Sequence, residues 1–331
     1  MAKPVALITG ISGQDGSYLS ELLLKNGYRV VGITRDPARR FSLNIAHLEG
    51  KIELVDSSYE THHLAEILAA VKPTEVYNFA GQVYVSKSWE MVDETFRASG
   101  VIPTHLLEAI LKVDRSIRYF QASSSEIFYP SGDTPLTEAT PLAPYNPYGC
   151  TKAYAHHMVT SYRRNYGLFA VNGVFFNHES PRRHENFAAK KAVRAAVRIK
   201  LGKEKTLQFG NASVIRDFGY APDYVDACWR MLKAAKPEDY LICTGQSYSL
   251  EHVLRSVFGR LGLDFEKHVQ ADPRYFRLHE PLAVYGSSAK IRQDLGWKPT
   301  VDLEQMLDRM IQFEMKFQQG LEKDYAHEHP V

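Results

Sequence analysis

The chain has 331 residues, 44% hydrophobic and 24% charged, enough for one large α/β domain or one domain with a smaller lobe. A formal net charge of +2, without any stripe of interleaved basic and aromatic residues, argues against a nucleic-acid or membrane-surface partner. Three scattered cysteines (Cys150, Cys228, Cys243) support neither a disulfide framework nor a metal site. No apolar run reaches the ~18 residues of a membrane span, and MAKPVALITG lacks a secretory apolar core, so a cytoplasmic location is expected.

VALITG (5–10) is a short apolar run closed by glycine and predicts a buried parallel strand. GSYLSELLLKNGY follows, with Leu19, Leu22 and Leu23 at helical spacing and Gly27 placed to end the helix. Further strands are expected at 29–34, 52–55, 75–80, 117–123 and 169–176, with amphipathic helices such as HLAEILAAV and THLLEAILKV between them. Strands alternating with helices predict a doubly wound, mostly parallel sheet over residues 1–176. Residues 177–331 are expected to form mainly a smaller lobe, the chain crossing back to the sheet. This part holds a basic helix (ENFAAKKAVRAAVRIKLG) and a polar, frayed end, LEKDYAHEHPV.

Gly10, Ser12, Gly13, Gln14, Asp15 and Gly16 occupy the turn from first strand to first helix, with glycines at G-x-x-G-x-x-G. That spacing suits a backbone that turns tightly and lies against a pyrophosphate at a helix N-terminus, although glycines also simply close turns. At the end of the second strand Arg35, with Arg39 and Arg40 behind it, favours NADP(H), because a guanidinium forks a phosphate; a solvated basic turn is the alternative. Asp56 stands where an adenine amino group would be met, or caps the next helix. Ser86 and Tyr84 follow the fourth strand, facing the cleft at the strand ends. Tyr148 and Lys152 form Y-x-x-x-K, one helical turn apart, so the ammonium is expected to favour the phenolate and make Tyr148 usable for proton transfer. Ser124 and Glu126 close the fifth strand in QASSSEIF.

These segments, with VKPTEVYNFA, FFNHESPRR, RDFGYAPDYVDA and LHEPLAVYGSSAKIRQDLGWKP, resemble the extended short-chain dehydrogenase/reductase superfamily and, within it, the GDP-mannose 4,6-dehydratases. The resemblance runs over almost the whole chain, and G-Q-D-G with F-N-H-E-S-P-R-R is its most specific part. It implies a Rossmann fold with a smaller C-terminal substrate lobe, a GDP-sugar substrate and NADP as an internal redox carrier. By resemblance, Ser124, Glu126, Tyr148 and Lys152 are catalytic, with Ser124 standing where threonine is usual. Glu126 is the residue that separates dehydration from reduction or epimerisation on this fold; its alternative is a strand-end carboxylate capping a loop. Asn177, Glu179, Ser180, Lys191, Arg216, Arg277 and Glu280 are expected to hold the GDP-sugar together with Ser86, surface salt bridging being the alternative for Lys191 and Arg216. Arg182 and Arg183 imply a homodimer or homotetramer. His184 and the Val83-Tyr84 pair depart from the family pattern. With the small Ser124 they leave a GDP-manno-heptose open as the substrate, and a GDP-keto-sugar reductase or epimerase as the alternative activity.

Overall fold

The computed structural model describes residues 3–34, 41–129, 134–276 and 280–325. Strands β1 (Val5–Thr9), β2 (Arg29–Thr34), β3 (Glu53–Asp56), β4 (Glu75–Asn78), β5 (Arg118–Ser124) and β6 (Ala170–Phe175) fall on the apolar runs read from the sequence. Between them lie α1 (Gln14–Lys25), α2 (Thr61–Val71), α3 (Val92–Phe96), α4 (Ile102–Val113) and α5 (Pro147–Tyr166). A π turn, Arg97–Val101, joins α3 to α4 and puts Ser99 under the loop after β4, where its hydroxyl accepts the Gln82 N–H at 3.2 Å.

After β6 the chain forms β7 (Asn177–Glu179), α6 (Ala188–Lys200), β8 (Leu207–Phe209), β9 (Ile215–Arg216) and β10 (Phe218–Tyr220). It then returns to the sheet: α7 (Ala221–Lys233) packs on α1, and β11 (Tyr240–Ile242) pairs with β6. The last elements are β12 (Tyr248–Ser249), α8 (Leu250–Arg260), α9 (Phe265–His268), β13 (Val269–Ala271), β14 (Ala283–Val284), α10 (Ala289–Leu295) and α11 (Leu303–Gln318).

The sheet has seven strands in the order β11-β6-β5-β4-β1-β2-β3, and every pairing is parallel. Strand order reverses between β1 and β4, and the carboxyl ends flanking that point form a crevice for ligands. Helices cover both faces, which is why the strands read as continuous apolar runs. One face buries Tyr18, Leu19 and Leu23 of α1 against Tyr224 and Met231 of α7 and Trp297. The other buries Leu64 and Leu68 of α2, Leu106 and Ile110 of α4, and Val159 of α5.

A separate apolar cluster joins α6, α8 and α11 through Val193, Val197, Val257, Phe258, Met306 and Met310. Its strands are only two or three residues long, so helix packing holds this part together. The expectation of a frayed end holds poorly at Tyr325, which is buried; its hydroxyl donates to Pro181 O at 3.1 Å and its ring stacks on Phe313. Among the described residues no helix is long and apolar enough to cross a membrane, and no three His, Cys, Asp or Glu side chains cluster as metal ligands.

Candidate active site

The glycine spacing has a steric cause. Gly10 turns at φ +68°, and a Cβ there would lie 2.8 Å from the Phe79 carbonyl carbon. A Cβ on Gly16 would lie 2.5 Å from Gly10 O, so the helix start sits directly on the turn. Gly13, the residue before α1, is extended, and no side chain caps the helix. The first-turn N–H groups therefore remain available to an anion, with the helix dipole behind them. Gly10, Ser12, Gly13, Gln14, Asp15 and Gly16 all line a cavity of about 480 Å³ beside this turn. With no side chain at Gly10, Gly13 or Gly16, the backbone there has the character that a pyrophosphate site requires. Arg35, Arg39 and Arg40 lie outside the described residues. Asp56 ends β3 in register with Thr34; α2 starts at Thr61 with Glu60 as the preceding residue, so Asp56 is not its cap.

The two motifs most specific to the resemblance clasp one another. Asp15 Oδ1 lies 3.0 Å from His178 Nε2, while His178 Nδ1–H donates to Phe176 O at 2.8 Å. Burial alone would raise the Asp15 carboxyl; the His178 ring and Arg183 outweigh it and hold it below the usual carboxylate range. Gln14 Oε1 accepts from Ser180 Oγ at 2.7 Å, and Gln14 Nε2 donates to His178 O at 3.1 Å. Arg182 is 3% exposed; it donates to Ser17 Oγ and Glu21 Oε1 and lies over the rings of Tyr18 and Tyr325. Its guanidinium is thus engaged inside the chain.

At the end of β5, Ser124 Oγ accepts the Glu126 N–H at 3.2 Å and caps a short 3₁₀ turn, Ser125–Ile127. Helix α5 starts at Pro147 with Asn146 as N-cap, and this brings Tyr148 and Lys152 beside the same strand end. Ser124, Glu126, Tyr148 and Lys152 line one cleft of about 180 Å³ with Asn177, His178, Arg183, Arg216 and Glu280. The four groups read from the sequence therefore converge. Lys152 Nζ donates to Ala122 O at 2.9 Å and lies 5.7 Å from the Tyr148 ring centre. Burial pulls its pKa down to about 8. The expectation of a depressed phenol is not met in this arrangement. Desolvation pushes Tyr148 up to about 12, opposed by a hydrogen bond with Ser124 and reinforced by the charge of Glu126. The ammonium sits against a carbonyl rather than against the phenol oxygen, which explains the difference.

Farther along, a second cavity of about 440 Å³ is lined by Ser86, Tyr145, Asn146, Lys191 and Glu280. Glu280 belongs to both cavities, so they form one trench. Arg216 Nη2 pairs with Glu280 Oε1 at 3.2 Å. Lys191 donates to Gln208 O at 2.9 Å and sits 3.8 Å from the centre of the Tyr275 ring. Both cations are tied within the chain yet line the trench. Glu179 and Ser180 lie elsewhere: both are buried, Glu179 against Arg183 Nε at 3.3 Å and Ser180 against Gln14. Arg277 lies outside the described residues.

Sequence reasoning passed over His178, Tyr145 and Asn146. Asn-Pro just before Y-x-x-x-K is a helix-start signal that would have found Asn146; nothing local marks His178. The two departures from the family pattern prove to be one feature. The Tyr84 and His184 rings meet edge to face at 5.5 Å, and Tyr84 stacks on Phe187 at 6.0 Å.

The strand order, the glycine turn beneath a bare helix start and the tyrosine-lysine helix beside a polar strand end define a fold of the extended short-chain dehydrogenase/reductase class. A solved structure titled as dTDP-glucose 4,6-dehydratase from Bacillus anthracis, in complex with NAD, shares it with a TM-score of 0.84 at 20% identity, covering 96% of this chain and 98% of that one. A sequence profile described as GDP-mannose 4,6 dehydratase matches residues 7–310. GDP-mannose 4,6 dehydratase 2 of Arabidopsis thaliana is 41% identical, over 93% of this chain and 86% of its own. GDP-mannose 4,6 dehydratase of Homo sapiens is 38% identical, over 94% and 92%. The chain belongs to the GDP-mannose 4,6-dehydratase family.

Proposed function

We propose that this nucleotide-sugar 4,6-dehydratase converts a GDP-manno-sugar to its 4-keto-6-deoxy derivative, using NADP as an internal redox carrier. The observation that carries the reading is Glu126 in the cleft of Ser124 and Tyr148. A reductase or epimerase on this fold uses the hydroxyl, the phenol and the ammonium but has no task for that carboxylate. When bound, the nicotinamide dinucleotide would supply reversible hydride transfer, the chemistry by which C4 is oxidised and C6 reduced with no outside reductant.

Ser124 donates to the sugar's O4, and Tyr148 takes the C4 hydroxyl proton. A phenol at about 12 needs a cation beside it to act at neutral pH, and Lys152, one helical turn on, is the cation that would have to turn from Ala122 O toward the phenol oxygen. The C4 ketone acidifies the C5 proton. Glu126 removes that proton and delivers it to the departing C6 hydroxyl: the C5–H and C6–O bonds break, a C5–C6 double bond forms, and water leaves. A proton then returns to C5. Arg216 and Lys191 face the diphosphate and Glu280 the ribose or base. Gly10, Gly13 and Gly16 would give the dinucleotide's pyrophosphate its approach, and the preference for NADP rests on the identity of Arg35 alone, a guanidinium able to fork an added phosphate.

Exposed Trp89, Val92, Phe96 and Tyr154 on the α3–α5 side support a homodimer or homotetramer, which sedimentation tests. Incubation with GDP-mannose and no added reductant tests the activity. A 4-keto product 18 mass units lighter (~18, the loss of one water) with no net change in nicotinamide absorbance is expected. An absolute demand for added NADPH overturns the reading in favour of a reductase. Parallel assay of a GDP-manno-heptose addresses the room left by Ser124, and titration with NADP and NAD addresses Arg35.

A further inference from the structure

A carboxylate that must remove one particular proton has to present one particular oxygen. Among the described residues, Glu126 takes both of its side-chain hydrogen bonds on the same oxygen: the Tyr145 hydroxyl and the Asn146 amide each donate to Oε2 at 2.8 Å. Among the described residues none donates to Oε1. Two donors on one oxygen stop the carboxylate from turning about its last torsion and leave the other oxygen's lone pairs for the trench. The sequence supplies both donors from adjacent positions, immediately before the helix that carries Tyr148.

Asn146 does a second thing with the same amide. Its Oδ1 accepts the Gly149 N–H at 2.7 Å, which caps α5, while its Nδ2 holds Glu126. The oxygen must face the N–H and the nitrogen must face the carboxylate, so only one orientation of the amide satisfies both contacts. The backbones also meet here: a Cβ at Gly149 would fall 2.2 Å from Glu126 O. Tyr148 lies between Pro147 and Gly149 in the same helical turn. The acidic side chain and the phenol are therefore fixed in one frame rather than on two independent segments.

We infer that Tyr145 and Asn146 are positioning residues for the elimination step: together they select Glu126 Oε1 as the atom that meets the C5 proton, and Asn146 locks that atom in register with Tyr148. This rests on the dehydratase reading above. It predicts that weakening the brace uncouples the two halves of the reaction. Oxidation at C4 depends on Tyr148, Ser124 and Lys152 and continues, whereas removal of the C5 proton falls behind.

Asn146 could matter only as a helix cap, and the test separates the two roles. Asn146→Ser keeps a good N-cap and removes the amide donor; Tyr145→Phe removes only the hydroxyl. Each single variant is expected to eliminate water roughly tenfold more slowly, and the double variant ~100-fold, from the strength of hydrogen bonds to a charged acceptor. Single-turnover traces with GDP-mannose should show reduced nicotinamide absorbance rising at the wild-type rate and then persisting. Solvent deuterium should enter C5 correspondingly more slowly, while the melting temperature of Asn146→Ser stays at the wild-type value. A double variant whose elimination keeps pace with its oxidation overturns the inference. So does one that slows both steps equally, since that marks a merely structural role. A wild-type enzyme that forms no 4-keto product overturns the dehydratase reading itself, an outcome distinct from either.

Discussion

The two walls of the trench are built by different rules. On the sheet side, Gly10 is required by its turn at φ +68° and Gly16 by the nearness of Gly10 O and Ile11 a few residues before it, while Tyr148 and Lys152 share a face one turn of helix apart. On the opposite side, the same cleft is closed by partners far apart in sequence, such as Arg216 with Glu280, 64 residues on. Backbone demands leave a spacing that can be read. Side-chain partnerships across long separations leave none.

Glu126 sits at the seam, and its substitution is expected to have the largest effect. Glu126→Gln keeps the shape and removes the carboxylate proposed as the base, and should lower product formation on the order of 10³-fold. Because Tyr148 is untouched, C4 oxidation should persist, seen as reduced nicotinamide remaining with the enzyme after one turnover. Release of water at the wild-type rate would show that the seam carries no chemistry and would return Glu126 to a loop-capping role.

Lys152 tests the sheet side through stability as well as rate. Its pKa falls from 10.5 to about 8 because burial disfavours the ammonium. Below pH 8 the folded protein carries a buried charge that the unfolded chain solvates freely. Between about 8 and 10.5 the unfolded state binds more protons than the folded one, so this group makes stability rise with pH across that window. Lys152→Met removes the burden: at pH 7 it should be inactive yet more stable, by up to ~3 kcal/mol less whatever the Ala122 carbonyl loses. The gap should close as the pH approaches 10.5. Denaturant melts of both proteins at pH 7 and across the window give the comparison, and a gap that widens with pH would contradict the sign.

A paired experiment asks whether the two walls hold different ligands. Gly16→Ala places a methyl 2.5 Å from Gly10 O and should weaken dinucleotide binding roughly 100-fold, leaving affinity for the sugar nucleotide nearly intact. Arg216→Gln should do the reverse, raising KM for the GDP-sugar by ~10- to 100-fold while dinucleotide titration is unchanged. Crossed effects of similar size would mean that the trench responds as one unit.

The legibility of the molecule follows the same division. Each of the six strands read from the sequence lies within two residues of an observed one, because a parallel strand buried on both faces must be a continuous apolar run. Ser124, Glu126, Tyr148 and Lys152 were found because they flank a strand end and a helix start, and they do converge. The motif FNHESPRR was legible as a motif but not as a geometry. Asn177 reaches the cleft, while Ser180 and Arg182 turn back to fasten α1. That partition depends on the path of β7, which Phe218–Tyr220 fixes from some forty residues away (~40, beyond the reach of local patterning). The direction of the Tyr148 shift was misread for a related reason: spacing put Lys152 near the phenol but could not show that Ala122 O takes its hydrogen bond.

The smallest effect belongs to the contact that the sequence marked as two separate oddities. Tyr84 comes from the loop after β4 and His184 from the loop after β7, and their rings meet at 5.5 Å on the wall of the cavity beside the glycine turn, close to where it adjoins the cleft of Ser124 and Tyr148. Neither ring is deeply buried, so the pair should contribute about 0.5–1.5 kcal/mol. Tyr84→Leu and His184→Gly should each lower the melting temperature slightly, with the double variant no worse than the more damaging single change. A coupling of that size in the cycle would establish that the two loops act as one wall. Strict additivity would separate them and leave each departure to be explained by its own surroundings. With that coupling, KM for the GDP-sugar should rise more in Tyr84→Leu than in His184→Gly, because Tyr84 also loses its stack on Phe187, which lines the cleft of Ser124 and Tyr148.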